Sequence, residues 1–254
     1  MSVLLEASGL SLMRAGRVLL RELDFSLQAG SRLAILGKNG AGKSTLLHAL
    51  AGLYPPHQGS VRLAGRRYSQ WSPRQAAVWR GIVLQQHAEP FGASVLESAL
   101  IGRHPHLSRF AIERAEDEAL AVKALAAVGL GSLTQRRADQ LSGGERQRLA
   151  IATLLVQAPK LMLLDEPLTH LDLGSQVPIL ECLSEAAQEG ALVMALHEPT
   201  LALRFCTHAL VIFDEGHWEY GLAEEVITGD TLSRLHGHHF HALFDGQRRV
   251  FVPA

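Results

Sequence analysis

Residues 37–45 read GKNGAGKST, with Gly37, Gly42, Lys43 and Ser44 at the fixed positions of the pattern G-x-x-x-x-G-K-[ST], the P-loop. The chemistry this spacing supports is anion binding. Phosphate oxygens need donors from several directions at close range. Gly37, Gly40 and Gly42 lack a Cβ, so the backbone can wrap the anion and turn successive N–H groups inward. Lys38, Asn39 and Ala41 complete the loop, and Thr45 follows it into a helix. Lys43 offers a point cation for β- and γ-phosphates, and the Ser44 hydroxyl is a ligand for Mg²⁺.

Two further stretches carry reactive groups. In residues 161–166, LMLLDE, an apolar run ends in paired carboxylates, as a strand does that delivers acids to the carboxyl edge of a sheet. Asp165 is expected to hold the Mg²⁺ hydration shell, and Glu166 to polarise an attacking water. In residues 141–147, LSGGERQ, Ser142 is an N-cap and Glu145 closes a capping box, while Gly143 and Gly144 leave the first N–H groups open. The arrangement makes a second anion site at a helix N-terminus.

These groups need a scaffold. The run RLAIL, residues 32–36, reads as a buried strand ahead of the loop, and STLLHAL, residues 44–50, as the helix after it. Residues 1–30 look rich in hairpins, with strand segments at 4–7, 10–13, 18–20 and 23–27 and turns at Ala15-Gly16 and Ala29-Gly30. Strands are also expected at 60–63, 82–84, 161–164, 191–196 and 208–213, with helices at 73–78 and 175–188. Residues 94–157 carry helical signals. One helix opens at Ser94, one spans about 111–128 with Leu120, Ala121, Ala124, Leu125 and Val128 on one face, and one follows Ser142. Alternating strands and helices imply parallel crossovers, hence an α/β core interrupted by a helical insertion near 87–157.

The totals fit that outline. The chain has 254 residues, 47% hydrophobic and 19% charged, and a formal net charge of −1, which gives no basic field for nucleic acid. Its 2 cysteines, Cys182 and Cys206, form no disulfide framework and are expected to be small buried residues in a reducing compartment. The N-terminus lacks the basic start and apolar core of a signal peptide, and no apolar run approaches the ~18 residues of a membrane span. A cytosolic chain that reaches a membrane only through a partner is expected.

GKNGAGKST, LSGGERQ and LMLLDEP, in this order, resemble the nucleotide-binding subunit of the ABC transporter superfamily over nearly the whole chain. The resemblance implies one ABC ATPase domain over 1–254. Its fold would be α/β, a P-loop NTPase core (a mixed sheet with an antiparallel β subdomain) with an inserted α-helical subdomain. Residues 1–86 and 158–254 would form the RecA-like core with its β subdomain, and 87–157 the helical insertion. ATP and Mg²⁺ are the implied cofactors. By resemblance Glu166, His197 and Gln86 are catalytic, His197 as the switch histidine at the γ-phosphate. Gln86 falls at the Q-loop position, with Gln85 beside it as the alternative, and would meet Mg²⁺ and water with Ser44 and Asp165. Asp172 lies in the D-loop, where His170 replaces the usual small residue before Leu171. Ser142, Gly143, Gly144 and Glu145 would complete the nucleotide site of a second copy, so a head-to-tail homodimer is implied. One departure concerns the base. The family stacks adenine on an aromatic residue near 10–14, and Phe25 is the only aromatic residue before the P-loop. Arg14 lies near that position, and its planar guanidinium could stack instead. Weak discrimination between ATP and GTP is expected.

The GRHPH segment, residues 102–106, resembles the G-R-x-P-H of importers for ferric siderophores, haem and cobalamin, placed where the family docks its permease. The turn at 214–217, and then Gly221 and Glu224, Glu225 and Val226, also fit such importers. The implied function is ATP hydrolysis powering a type II importer at the cytoplasmic face of the bacterial inner membrane. Its partners would be integral-membrane permease subunits and, indirectly, a periplasmic substrate-binding protein, with no nucleic acid. The alternatives are the ATPase of another ABC transporter class or a soluble ABC ATPase outside transport. His236, His238, His239 and His241 match no standard metal spacing and read as solvated residues.

Overall fold

The computed structural model describes residues 3–85, 92–108, 113–246 and 248–254. The chain opens with two long strands, β1 (Val3–Arg14) and β2 (Arg17–Gln28), joined at the expected Ala15-Gly16 turn. They are continuous where four segments were expected, because register shifts along the pair absorb the interruptions. There follow β3 (Arg32–Gly37), α1 (Lys43–Leu50), β4 (Gln58–Leu63) and the short β5 (Arg66–Arg67). Next come α2 (Pro73–Trp79), capped by Ser72 with Pro73 at its first position, and β6 (Arg80–Val83).

Helices occupy the middle of the chain: α3 (Val95–Leu100), α4 (Ala115–Ala127) and α5 (Gly143–Gln157). α4 starts later than expected, at Ala115, where the Asp117 carboxylate accepts from the Arg114 N–H at 3.0 Å and caps the helix. Ala121, Ala124, Leu125 and Val128 are buried, whereas Leu120 is 47% exposed. The first four follow the i, i+3, i+4, i+7 stripe, and Leu120 lies one step off it.

The last third alternates again: β7 (Leu161–Asp165), α6 (Leu173–Ala186), β8 (Ala191–Ala195), α7 (Pro199–Phe205) and β9 (His208–Ile212). It ends with β10 (Trp218–Leu222), α8 (Ala223–Val226), α9 (Gly229–His236) and a hairpin of β11 (Phe240–Asp245) and β12 (Arg248–Pro253).

Two sheets organise these elements. One is antiparallel, in the order β2-β1-β4-β5; the other is mixed, in the order β10-β9-β3-β8-β7-β6. In the mixed sheet β9, β3, β8, β7 and β6 run parallel and β10 antiparallel. Its inner strands are apolar on both faces, as parallel strands buried on two sides must be. Leu33, Ile35, Leu161 and Leu163 join α1 and the antiparallel sheet in one core. Ala34, Leu36, Met162 and Leu164 join α5, α6 and the C-terminal helices in the other. The fold is that of an α/β P-loop NTPase with an added antiparallel sheet.

Register positions the chemistry. Ile35 and Asp165 both pair with Ala195, so the ends of β3, β8 and β7 form one row. The P-loop, His197 and Glu166 leave the sheet just beyond that row, at the carboxyl edge where ligands bind in open α/β sheets.

Candidate functional site

β3 ends at Gly37, and the loop turns into α1 through glycines in left-handed backbone, Gly40 at φ 78° and Gly42 at φ 104°. A Cβ at Gly42 would stand 3.0 Å from that of Leu19, so β2 closes directly on the loop. The Lys43 ammonium donates to the Gly37 and Lys38 carbonyls at 2.8 and 3.2 Å. Burial pushes its pKa down, and the nearby Glu166 and Asp165 carboxylates oppose that shift. An ammonium held over the glycine loop is the group expected to meet a phosphate. Lys43→Ala is therefore expected to weaken nucleotide binding itself, by roughly ten- to a hundred-fold, the worth of a charged hydrogen bond. Titration of the variant with a fluorescent ATP analogue measures this, and an unchanged Kd would remove Lys43 from phosphate binding.

Asp165 closes β7 and is buried. The Ser44 hydroxyl hydrogen-bonds to its carboxylate; burial raises its pKa, and Ser44 and Lys43 act against the rise. Asp165 Oδ1 is buried without a hydrogen-bond partner. An orphaned carboxylate oxygen beside a hydroxyl, in reach of a phosphate cradle, fits a hydrated divalent cation.

Glu166 follows with left-handed backbone, φ 51°, which costs an L-residue about 1–2 kcal/mol. Both of its oxygens are held. Oε1 is 2.7 Å from His197 Nε2, and Oε2 accepts from Gln85 Nε2 at 3.0 Å. Gln85 thus makes the contact, while Gln86 lies outside the described residues. Arg14, at the end of β1, donates to Thr45 Oγ1 at 3.5 Å.

These residues surround one cleft of about 440 Å³, floored by Asn39, Gly40, Gly42, Lys43, Ser44 and Thr45 and walled by Arg14, Leu19, Gln85, Glu166 and His197. Lys38 and Ala41 face the other way, into a neighbouring cleft, where Asp214 lies 3.7 Å from Lys38 Nζ and 3.7 Å from Arg17 Nη2. Leu19 had no signal in the sequence as a site residue, because it belongs to no motif and only strand packing brings it to the loop, and the turn at 214–217 did not say that Asp214 would lie beside Lys38.

The glycine pair after Ser142 sits elsewhere. The Glu145 N–H donates to Ser142 Oγ at 3.3 Å and Glu145 Oε2 accepts from the Ser142 N–H at 2.7 Å, the reciprocal box expected at the tip of α5. A Cβ on Gly144 would come within 2.7 Å of the His170 carbonyl, and His170 itself is left-handed at φ 66°. Asp172 caps α6, accepting from the Ser175 N–H at 3.0 Å. Ser142, Gly143, Gly144, Glu145 and Asp172 line a cleft of about 400 Å³ with His170, and it shares no residue with the P-loop cleft. Gln147 ties the two regions, its Nε2 donating to the Pro167 carbonyl at 3.1 Å.

Of the other residues singled out, Cys206 is buried, with its thiol pushed up to about 12 by burial, and Cys182 is half-buried. His236 and His238 pack with Phe240, at ring separations of 5.2 and 4.9 Å.

Comparison with known proteins agrees with this geometry. Residues 20–169 match the family described as ABC transporter. The chain is 39% identical to the hemin import ATP-binding protein HmuV of Myxococcus xanthus, over 92% of this chain and 90% of that one. It is 36% identical to the ferric enterobactin transport ATP-binding protein FepC of Escherichia coli, over 85% and 80%. Among solved structures, a metal-chelate type ABC transporter in an inward-facing conformation superposes with a TM-score of 0.85 at 30% identity, covering 100% of this chain and 98% of that one. With phosphate loop, paired carboxylates and capped glycine helix in one fold, the chain belongs to the ABC transporter family and is one of its ATP-binding chains.

Proposed function

We propose that this protein binds and hydrolyses ATP to power a type II importer of iron-siderophore, haem or cobalamin. The observation that carries the mechanism is the separation of the two phosphate-binding clefts within one chain. Neither helix tip alone surrounds a triphosphate. Two chains set head to tail would bring the Ser142–Glu145 tip of one over the P-loop of the other, and a homodimer closing on two nucleotides uses both. We assign residues 1–86 and 158–254 to the core and its β subdomain, and about 87–157 to the helical part.

Glu166 is the base that accepts a proton from the attacking water. Its two oxygens are oriented by His197 and Gln85, which fixes the carboxylate. His197, half exposed at the cleft wall, is placed to meet the γ-phosphate. Ser44 and Asp165 would hold Mg²⁺, Asp165 through water, and the ion when bound would neutralise charge on the phosphates. The Ser142–Glu145 tip and Asp172 act on the partner's nucleotide.

The chain would work with integral-membrane permease subunits and, through them, a periplasmic substrate-binding protein. The proposed place is peripheral, at the cytoplasmic face of the inner membrane; among the described residues no helix is long and apolar enough to cross a membrane. The hemin and enterobactin relatives support this class. Reconstitution tests it: ATPase activity should rise when the chain is assembled with its permease in liposomes, and stimulation by DNA or ribosomes instead would defeat it.

Among the described residues no Phe, Tyr or Trp lines the nucleotide cleft; Arg14 and Leu19 stand at its β-sheet wall. A guanidinium plane accepts either purine face. GTP should therefore compete with ATP within about tenfold in Kd, since no base-edge hydrogen bond worth more than ~1 kcal/mol is offered. A strong ATP preference in competition binding would count against the assignment of Arg14.

A further inference from the structure

The G-R-x-P-H segment packs on the end of α5 through part of its residues, with Gly102 buried, Arg103 half-buried and His106 exposed. Arg103 Nε lies 2.7 Å from the buried Asp117 carboxylate, and its Nη1 donates to the Val156 carbonyl at 3.3 Å, at the C-terminal end of α5. His106 Nε2 donates to the Gln157 carbonyl at 2.8 Å. Arg74 of α2 donates to the Pro105 carbonyl at 3.0 Å and also to that of Leu107. The Arg103 cation on one of the last carbonyls of the helix is favourable against its dipole. Gly102 leaves no room for a side chain, since a Cβ would stand 2.3 Å from the Thr153 carbonyl. His104, the variable position of the pattern, is 64% exposed.

The Arg103, His106 and Gly102 contacts gather on the last turn of α5, which ends at Gln157. Its side-chain amide donates twice, to the Ala77 carbonyl at 2.6 Å and the Arg80 carbonyl at 2.9 Å. Arg80 opens β6, the edge strand of the mixed sheet, where an unpaired carbonyl needs a donor. Gly81 packs against the same turn, its Cβ position 2.2 Å from Leu154 Cδ1. β6 ends at Val83, and Gln85 beyond it reaches Glu166. α5 is 15 residues long, a rod of about 22 Å, with the Ser142 tip at its other end.

We infer that Gln157 is a positioning residue. It fastens the far end of the Ser142 helix to the start of β6, and through that strand sets Gln85 against the Glu166 carboxylate. A shift of the helix tip that clasps one nucleotide thus moves the group that orients the base at the other. Arg103, His106 and Arg74 brace the joint, which makes the GRHPH segment a strut. The inference rests on the ATPase reading above and adds a route between the two clefts.

The test is Gln157→Leu in the full chain, with ATP turnover measured. We expect kcat to fall about 10- to 100-fold, as small misplacement of a catalytic group does. KM for ATP should stay within about twofold, because the P-loop is untouched. Amide hydrogen exchange at 80–85 should quicken. In the cycle with Gln85→Ala, the double variant should be no slower than Gln85→Ala alone. Multiplied losses in that cycle, unchanged kcat or unchanged exchange would each overturn the inference. If Gln157→Leu does not fold, Gln157→Asn keeps the amide but is too short to reach both carbonyls, and carries the same test. Failure of the ATPase reading looks different: wild-type turnover would not depend on Glu166.

Discussion

Glu166→Gln binds ATP, stops turning it over and accumulates as a dimer: this is the expected result with the largest effect. The substitution keeps shape and hydrogen-bonding reach. Gln can still meet His197, 2.7 Å from one carboxylate oxygen, and Gln85, 3.0 Å from the other. What it loses is the lone-pair basicity that takes a proton from water. General-base catalysis contributes about 10²–10⁴-fold, and kcat should fall by that amount. Nucleotide affinity should hold, because Lys43 and the loop amides do the binding. Since release of the clamp requires hydrolysis, size-exclusion chromatography with ATP should show a doubled mass that the wild type shows only briefly. Turnover within a few-fold of wild type would remove Glu166 as the base. A variant that stays monomeric with ATP, with or without its permease, would remove the clamp.

Ser142→Arg is expected to leave ATP binding by the isolated chain unchanged and to abolish hydrolysis, by about two orders of magnitude or more. Within its own chain the damage is small. The Ser142 cap on the Glu145 N–H is lost, about 1 kcal/mol of helix stability. The P-loop cleft contains none of the residues around Ser142. Across a head-to-tail pair, however, a long cation would stand where the partner's phosphates must meet the exposed N–H groups. A mixing experiment isolates this. At an ATP concentration too low to fill the Lys43→Ala site, Ser142→Arg and Lys43→Ala chains should each be impaired alone and regain activity together, because one of the two composite sites then has an intact loop and an intact helix tip. Absence of recovery in a verified heterodimer would refute the shared site.

The local chemistry was legible because it is written in short range. A phosphate loop needs glycine where the backbone is left-handed, and Gly40 and Gly42 are so. A capping box needs Ser and Glu three apart, and Ser142 and Glu145 form one. An apolar strand ending in acids needs only its own residues, and β7 delivers Asp165 as expected. Other readings failed for want of long-range information. Leu120 was placed on the buried face of α4 but stands on its exposed side, since the stripe is fixed by what the helix packs against. The letters GRHPH do not say that Arg103 and His106 bond the last carbonyls of α5. β10 and the β11–β12 hairpin carry weak alternation and form by pairing.

The amino-acid sequence by itself determined the glycine loop, the strand ending in paired acids and the capped helix tip, because those features depend on residue type and spacing over a few residues. Tertiary structure alone decided that Gln85 and His197 hold the two oxygens of Glu166, that Leu19 closes on the loop, and that the two anion-binding helix tips face different clefts. For Glu166 the reason is the strand order β8-β7-β6, which sets the ends of β8 and β6 on either side of β7 and so brings His197 and Gln85 to it from two sides. That order is selected by burial of both sheet faces at once, a property of the whole fold that no local pattern carries.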